Sequence, residues 1–143
     1  MTTPGDREKM LIAAKSGDTE TVRKRLERGE NPNIREDYSR RTPLHLAAKG
    51  GYWIMANNLL DYGANPNARD LDGSTPLHHA VQKNCELLAR LLLEYSADPN
   101  IMDNVGSTPL RIAGRAGLTK IVELLLEFGA DPRVREGKFV MPA

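Results

Sequence analysis

Apolar and polar stretches alternate along this chain in a fixed phase. A short stretch rich in small residues, carrying Ala47 and Ala48, then Ala80 and Val81, then Ala113, is followed by a turn at Lys49-Gly50-Gly51, Lys83-Asn84 and Ala116-Gly117. A leucine-rich stretch comes next: Leu59-Leu60, Leu91-Leu92-Leu93 and Leu124-Leu125-Leu126. Apolar positions at helical spacing in short blocks, separated by glycine or asparagine, predict pairs of short helices. The alanines leave room for neighbouring helices to approach closely.

The blocks are framed by two motifs. Thr42-Pro43-Leu44-His45 returns as Thr75-Pro76-Leu77-His78 and as Thr108-Pro109-Leu110-Arg111, two steps of 33 residues. Gly29-Glu30-Asn31-Pro32-Asn33 returns as Gly63-Ala64-Asn65-Pro66-Asn67, Ser96-Ala97-Asp98-Pro99-Asn100 and Gly129-Ala130-Asp131-Pro132-Arg133, in steps of 34, 33 and 33. The extra residue lies between Ile34 and Arg41. Each motif has a mechanical meaning. A threonine hydroxyl before a helix accepts a bond from a free N–H of the first turn. Proline at the first helical position gives up an N–H that had no partner. Gly63 and Gly129 stand where a helix ends in a left-handed residue. Asp70-Leu71-Asp72-Gly73 and Asp103-Asn104-Val105-Gly106 predict tight hairpin turns. No helix–turn–helix–hairpin unit of this size buries its apolar face alone, so the units must stack, each touching only its neighbours.

These motifs resemble the ankyrin-repeat family, whose pattern is Thr-Pro-Leu-His-x-Ala followed by Leu-Leu-x-x-Gly-Ala-Asp-x-Asn. The resemblance runs from about Glu8 to Arg135 and implies an all-α solenoid of stacked helix-turn-helix units with projecting β-hairpin turns. The expected division of this single domain is a first repeat at about 5–35 acting as N-terminal cap, repeats at about 36–69, 70–102 and 103–135, and a tail at 136–143. In the first unit Glu8-Lys9-Met10-Leu11-Ile12-Ala13-Ala14 replaces the usual opening, and the following helix is more polar than its counterparts. No capping helix follows the fourth unit, so either Phe139, Val140 and Met141 cover the last layer or the natural chain continues.

The resemblance also implies where a partner would bind: the hairpin tips and the exposed side of the first helices, together a concave groove. Carried over by position, the candidates are Tyr38, Arg41, Arg69, Leu71, Asp72, Ser74, Asn104 and Val105 at and beside the tips. Lys49, Gln82, Lys83 and Arg115 are the candidates on the first helices. Leu71 and Val105 are apolar where tips are normally polar; they either anchor a partner or pack on the adjacent hairpin. The column Arg35, Arg69, Met102, Arg135, with Arg40, Arg41 and Lys49 nearby, makes either a positive groove or an edge paired to Glu36, Asp37 and Asp70, and the paired edge is favoured. Tyr62, Tyr95 and Phe128 share one late position of the second helices and are expected to cover joints between repeats. His45 and His78 are implied to be structural, bonded to the backbone of the neighbouring hairpin.

Composition narrows the function classes. Twenty basic residues against nineteen acidic ones give a net charge of +1, without the positive field that nucleic-acid binding requires. The single cysteine, Cys85, forms no internal disulfide and suits a reducing compartment, the cytoplasm or nucleus. No apolar stretch approaches the roughly 18 residues that span a bilayer. His79 and Cys85 lack metal-ligand spacing. No nucleotide loop, nucleophile elbow or base-paired nucleophile occurs. The sequence therefore predicts no catalysis and no cofactor. It predicts a monomeric adaptor or scaffold that binds another protein and neither nucleic acid nor membrane. An ankyrin-type inhibitor occupying an enzyme such as a kinase, or the ankyrin segment of a larger protein, is the alternative.

Overall fold

The computed structural model describes residues 4–135 and 138–139. Four helix pairs follow one another: α1 (Pro4–Ser16) with α2 (Thr19–Glu27), α3 (Pro43–Gly50) with α4 (Trp53–Asp61), α5 (Pro76–Gln82) with α6 (Glu86–Glu94), and α7 (Pro109–Ala116) with α8 (Thr119–Glu127). The odd-numbered helices pack in one row and the even-numbered in a second, so each pair is a layer bearing on the next. Two-residue strands β1 (Val134–Arg135) and β2 (Lys138–Phe139) pair antiparallel after the last layer. The expectation that Phe139, Val140 and Met141 cover that layer concerns the Phe139 side chain and residues 140 and 141, which lie outside what is described.

The helix ends follow the motifs. Thr42 and Thr75 cap α3 and α5 from their hydroxyls, and proline follows at the first helical position. After α4, Gly63 N–H bonds Leu60 O and Ala64 N–H bonds Leu59 O, the paired closure that a left-handed residue permits. Ser96 takes that conformation after α6, at a φ of 70°, where its side chain costs about 1 kcal/mol against glycine. The core is one continuous column of Leu, Ala, Met, Val and Ile from Met10 to Ala130.

Polar bonds fix how one layer sits on the next. His45 Nδ1 accepts from Thr42 N–H at 3.0 Å, and its Nε2 lies 2.9 Å from Ser74 O in the following hairpin. His78 repeats the arrangement with Thr75 N–H at 3.1 Å and Ser107 O at 2.9 Å. A main-chain N–H can only donate and a carbonyl can only accept, so both rings must be neutral with the proton on Nε2. On the other edge, Asn33 Oδ1 accepts from Asn65 N–H, Asn67 Oδ1 from Asp98 N–H and Asn100 Oδ1 from Asp131 N–H, each at 2.7 Å. In the first layer, where Leu11 replaces the histidine, Arg7 pairs with Asp37 at 2.7 Å and Lys15 with Glu36 at 2.6 Å, holding the first hairpin to α1. Arg25 lies inside this layer between Asp6 at 3.3 Å and Glu30 at 3.1 Å.

Two predictions follow from this packing. The Tyr52 ring lies against both Gly17 and Gly50, and a Cβ on Gly50 would overlap it. Gly50→Ala is expected to cost about 1–3 kcal/mol in denaturant unfolding, and much less when combined with Tyr52→Ala. The second prediction concerns acid. Burial holds the His45 imidazole down at about 4 against the opposing bond to Ser74, and burial likewise holds His78 below its ordinary value. A histidine depressed by folding stabilises fully above its unfolded value of about 6.5 and loses that contribution as pH falls toward its folded value. Thermal unfolding at constant ionic strength should show stability falling below about pH 6.5, by up to ~1.4 kcal/mol per pH unit per histidine. A flat profile down to about pH 5 would show that these rings are not buried neutral clasps.

Candidate functional site

The hairpins project from the first-helix row, and their tips are bonded to one another. Leu71 N–H donates to Ser39 O at 2.8 Å and Asn104 N–H to Asp72 O at 2.9 Å. Asn104 Nδ2 adds a bond to Leu71 O at 2.8 Å. Each turn is shaped from inside by a carboxylate. Asp70 Oδ1 accepts from Asp72 and Ser74 N–H, both at 3.0 Å. Asp103 Oδ1 accepts from Val105 N–H at 3.1 Å and Ser107 N–H at 2.9 Å. The first hairpin holds the extra residue and places Arg40 at a φ of 60°, where Gly73 and Gly106 stand in the next two.

On this bonded edge three large side chains face solvent: Tyr38 is 90% exposed, Val105 66% and Leu71 64%. Neither Leu71 nor Val105 is covered by its neighbouring hairpin. Beneath the tips the groove holds separate clefts. One, of about 300 Å³, brings together Arg41, Lys49, Asp72, Ser74, Gln82, Asn104 and Val105 with His79. A larger one, of about 490 Å³, lies between α1 and the first hairpin, with Leu11 and Ile12 on its floor and Tyr38 on its rim. Ile12 is 66% exposed. One 34-residue step places Ile12 at the position of Leu46 and Lys15 at that of Lys49.

The polar floor of the smaller cleft is a buried cluster. His79 Nε2 donates to Asp70 Oδ2 at 2.9 Å, and Arg41 Nε reaches the same oxygen at 3.4 Å. His79 Nδ1 is buried without a hydrogen-bond partner, and the ring meets His45 edge-on at 5.6 Å between centroids. Burial lowers the His79 imidazole below its ordinary value despite the Asp70 carboxylate, because a second ring proton would sit unpaired. Burial pushes Asp70 up, but the bonds from His79 and Ser74 outweigh it and leave the carboxyl below its ordinary value.

Several candidates are engaged within the chain or lie apart from these two clefts. Ser74 is buried: its N–H is held by Asp70 and its carbonyl by His45, so it is wall rather than contact. Arg69 spans Gly73 O at 3.1 Å and Met102 O at 3.0 Å, and Arg35 spans Arg40 O at 2.7 Å and Arg69 O at 2.8 Å. This arginine column therefore grips main-chain carbonyls of its own and the next hairpin. Of the expected carboxylate pairings, Glu36 goes to Lys15, Asp37 to Arg7 and Asp70 to Arg41. Lys83 lays its stem over Gly51 in the preceding turn, away from the clefts. Arg115 lines a different cleft, at the end of the stack. Tyr95 covers a joint as expected, its hydroxyl donating to Asp61 of α4. Cys85 is half-buried at the start of α6, packed against the core. Among the described residues no cluster of His, Cys, Asp or Glu is placed to hold a metal, and no helix is long and apolar enough to cross a membrane.

Known proteins carry the same pattern. A stretch of this chain is 45% identical over 65 residues to the potassium channel KOR1 of Oryza sativa subsp. japonica, covering 46% of this chain and 8% of the channel. It is 36% identical over 69 residues to the 2-5A-dependent ribonuclease of Mus musculus, covering 48% of this chain and 9% of that protein. The ARF GTPase-activating protein GIT1 of Homo sapiens is 37% identical over 61 residues, 43% of this chain and 8% of its own length. The matched stretch thus spans under a tenth of each of these relatives. The family model for ankyrin repeats in three copies matches residues 10–103 and 55–136. Ankyrin repeats are in general protein-interaction modules, and this chain belongs to the ankyrin-repeat family.

Proposed function

We propose that the chain binds another protein through its concave face, with Tyr38, Leu71 and Val105 as anchors and the clefts between tips and first helices as their surroundings. The observation that carries this reading is the combination of large exposed apolar side chains with tips locked by main-chain bonds. Single exposed apolar residues are ordinary on protein surfaces. These stand on three successive tips held in fixed relation, so a partner meets them already ordered and loses little to the cost of organising the surface. Charged and polar groups beside them, Lys49, Gln82, Asp72 and Arg41, supply a rim that selects orientation. Binding, with no chemical step, is what this arrangement supports. The single cysteine suits a cytoplasmic or nuclear setting.

A second reading concerns context. In the channel, the ribonuclease and the GTPase-activating protein, the matched stretch is a small part of a much longer chain. That supports the use of this unit as an interaction segment whose partner depends on what it is joined to.

The test is affinity capture from the native host, comparing the natural chain with Leu71→Glu combined with Val105→Glu. Both tips lie in solvent, so the melting temperature should change little. Recovery of a groove-bound partner should fall by about tenfold or more, as when interface anchors are replaced by charge. A partner retained equally by the double variant would move the interface off this face.

A further inference from the structure

The second hairpin differs from the other two in what stands behind its turn carboxylate. All three turns carry an acidic residue at the same position: Glu36, Asp70 and Asp103. Glu36 is held by Lys15 and by the Ser39 hydroxyl, each at 2.6 Å. Asp103 bonds its own turn through Oδ1. Of the three, Asp70 alone meets a titratable ring from the helix that follows it. His79 stands where Leu46 and Ile112 stand in the adjacent layers, and its Nε2 donates to Asp70 Oδ2 at 2.9 Å.

Asp70 is a bridge. Its Oδ1 accepts from Asp72 and Ser74 N–H, both at 3.0 Å, and its Oδ2 takes the ring and, at 3.4 Å, Arg41 Nε. A change at Oδ2 is carried through one planar carboxylate to the turn that presents Leu71. The ring is 5% exposed, and its Nδ1 is buried with no hydrogen-bond partner. A neutral ring protonated on Nε2 leaves only a lone pair unmet. A second proton would bury an N–H donor that nothing accepts.

The charges around the ring are divided. Asp70 favours the charged form, whereas Arg41 of the first hairpin and Lys49 of α3 oppose it. His45 of α3 meets the ring edge-on at 5.6 Å. Asp72 and Asp103 line the same cleft of about 300 Å³. No described residue of α6 lines it, and the arginines of α7, Arg111 and Arg115, line the cleft at the end of the stack. Burial outweighs Asp70 and holds the ring below its ordinary value, so it is neutral at neutral pH. A state in which the ring turns into the cleft frees both nitrogens for solvent and for Asp72 or Asp103. Proton uptake favours that state as pH falls. Asp70 Oδ2 then keeps only the long bond from Arg41.

We propose that His79 is an acid-sensitive latch on the second hairpin. Neutral, it holds Asp70 and so the tip that carries Leu71; protonated, it turns out into the cleft and loosens that tip, while the third hairpin keeps its form. The consequence for binding, a groove that holds its partner less well in acid, rests on the proposed function of the concave face. The latch itself does not.

The test follows the free full-length chain by NMR from about pH 7.5 to about pH 5 at constant ionic strength. Amide protection factors, which remove the intrinsic pH dependence of exchange, are compared at Asp72 and Ser74, bonded to Asp70, and at Val105 and Ser107, bonded to Asp103. As the His79 ring titrates, protection at Asp72 and Ser74 should fall by about tenfold or more, with Val105 and Ser107 unchanged. His79→Leu installs the residue found one layer earlier, so the stack should stay folded and the pH response at Ser74 should vanish. His79→Gln leaves Asp70 a donor that does not titrate, and Ser74 should stay protected throughout. Parallel loss at Ser74 and Ser107 would assign the response to the whole stack and overturn the proposal. So would a ring that titrates while Ser74 stays protected, a ring that stays neutral until core amides such as Leu77 open with it, or a response at Ser74 that persists in His79→Leu. None of these readouts needs a partner, so failure of the latch is distinguishable from failure of the groove interface, which capture with Leu71→Glu and Val105→Glu tests.

Discussion

A neutral imidazole that bonds in two directions is the contact on which the rest of this molecule depends. Through Nδ1, His45 closes the start of its own helix; through Nε2 it holds the carbonyl of Ser74 in the next hairpin. His78 does the same for Ser107. Apolar contact between layers is non-directional and would tolerate sliding. A ring buried with one acceptor and one donor, both satisfied by main chain, tolerates one placement only. The hairpin is thereby set relative to the layer beneath it, and the turn carboxylates Asp70 and Asp103, the tip-to-tip bonds and the Arg35 and Arg69 bridges extend that order outward to the tips. The exposed apolar side chains of the tips stand at the far end of this chain of constraints.

The two ends of the stack depart from this scheme in different ways. At the start, Leu11 gives up the clasp, and ion pairs from Arg7 and Lys15 bind the first hairpin while α2 turns a charged surface to water. At the other end, arginines stand where histidine and asparagine would lock a following layer, yet Leu126 and its neighbours stay open.

The architecture was legible because each device has a residue signature at a fixed offset: threonine and proline at helix starts, glycine at helix ends, aspartate and glycine in the turns. The implied backbone role of the histidines was found at the expected hairpins. What sequence could not supply was which side chain reaches which main-chain group. Arg69 and Arg35 look like free surface charge, but their length lets them cross to the carbonyls of the next hairpin. Ser74 sits beside an exposed tip in sequence but folds under it. His79 occupies the position held by Leu46 and Ile112 in neighbouring layers, and only the fold shows that Asp70 of the adjacent turn meets it. Leu71 and Val105 stand out in the sequence as apolar residues in polar surroundings; their exposure depends on the turn geometry.

The most direct test of this account is the ring-nitrogen NMR spectrum of the three histidines across pH. If the clasps order the stack, His45 and His78 will each show a single tautomer, protonated on Nε2, with the His45 ring remaining neutral until pH approaches about 4. Rings that exchange between tautomers and titrate together near the ordinary value of about 6.5 would contradict it, and the hairpins would then owe their placement to apolar packing alone.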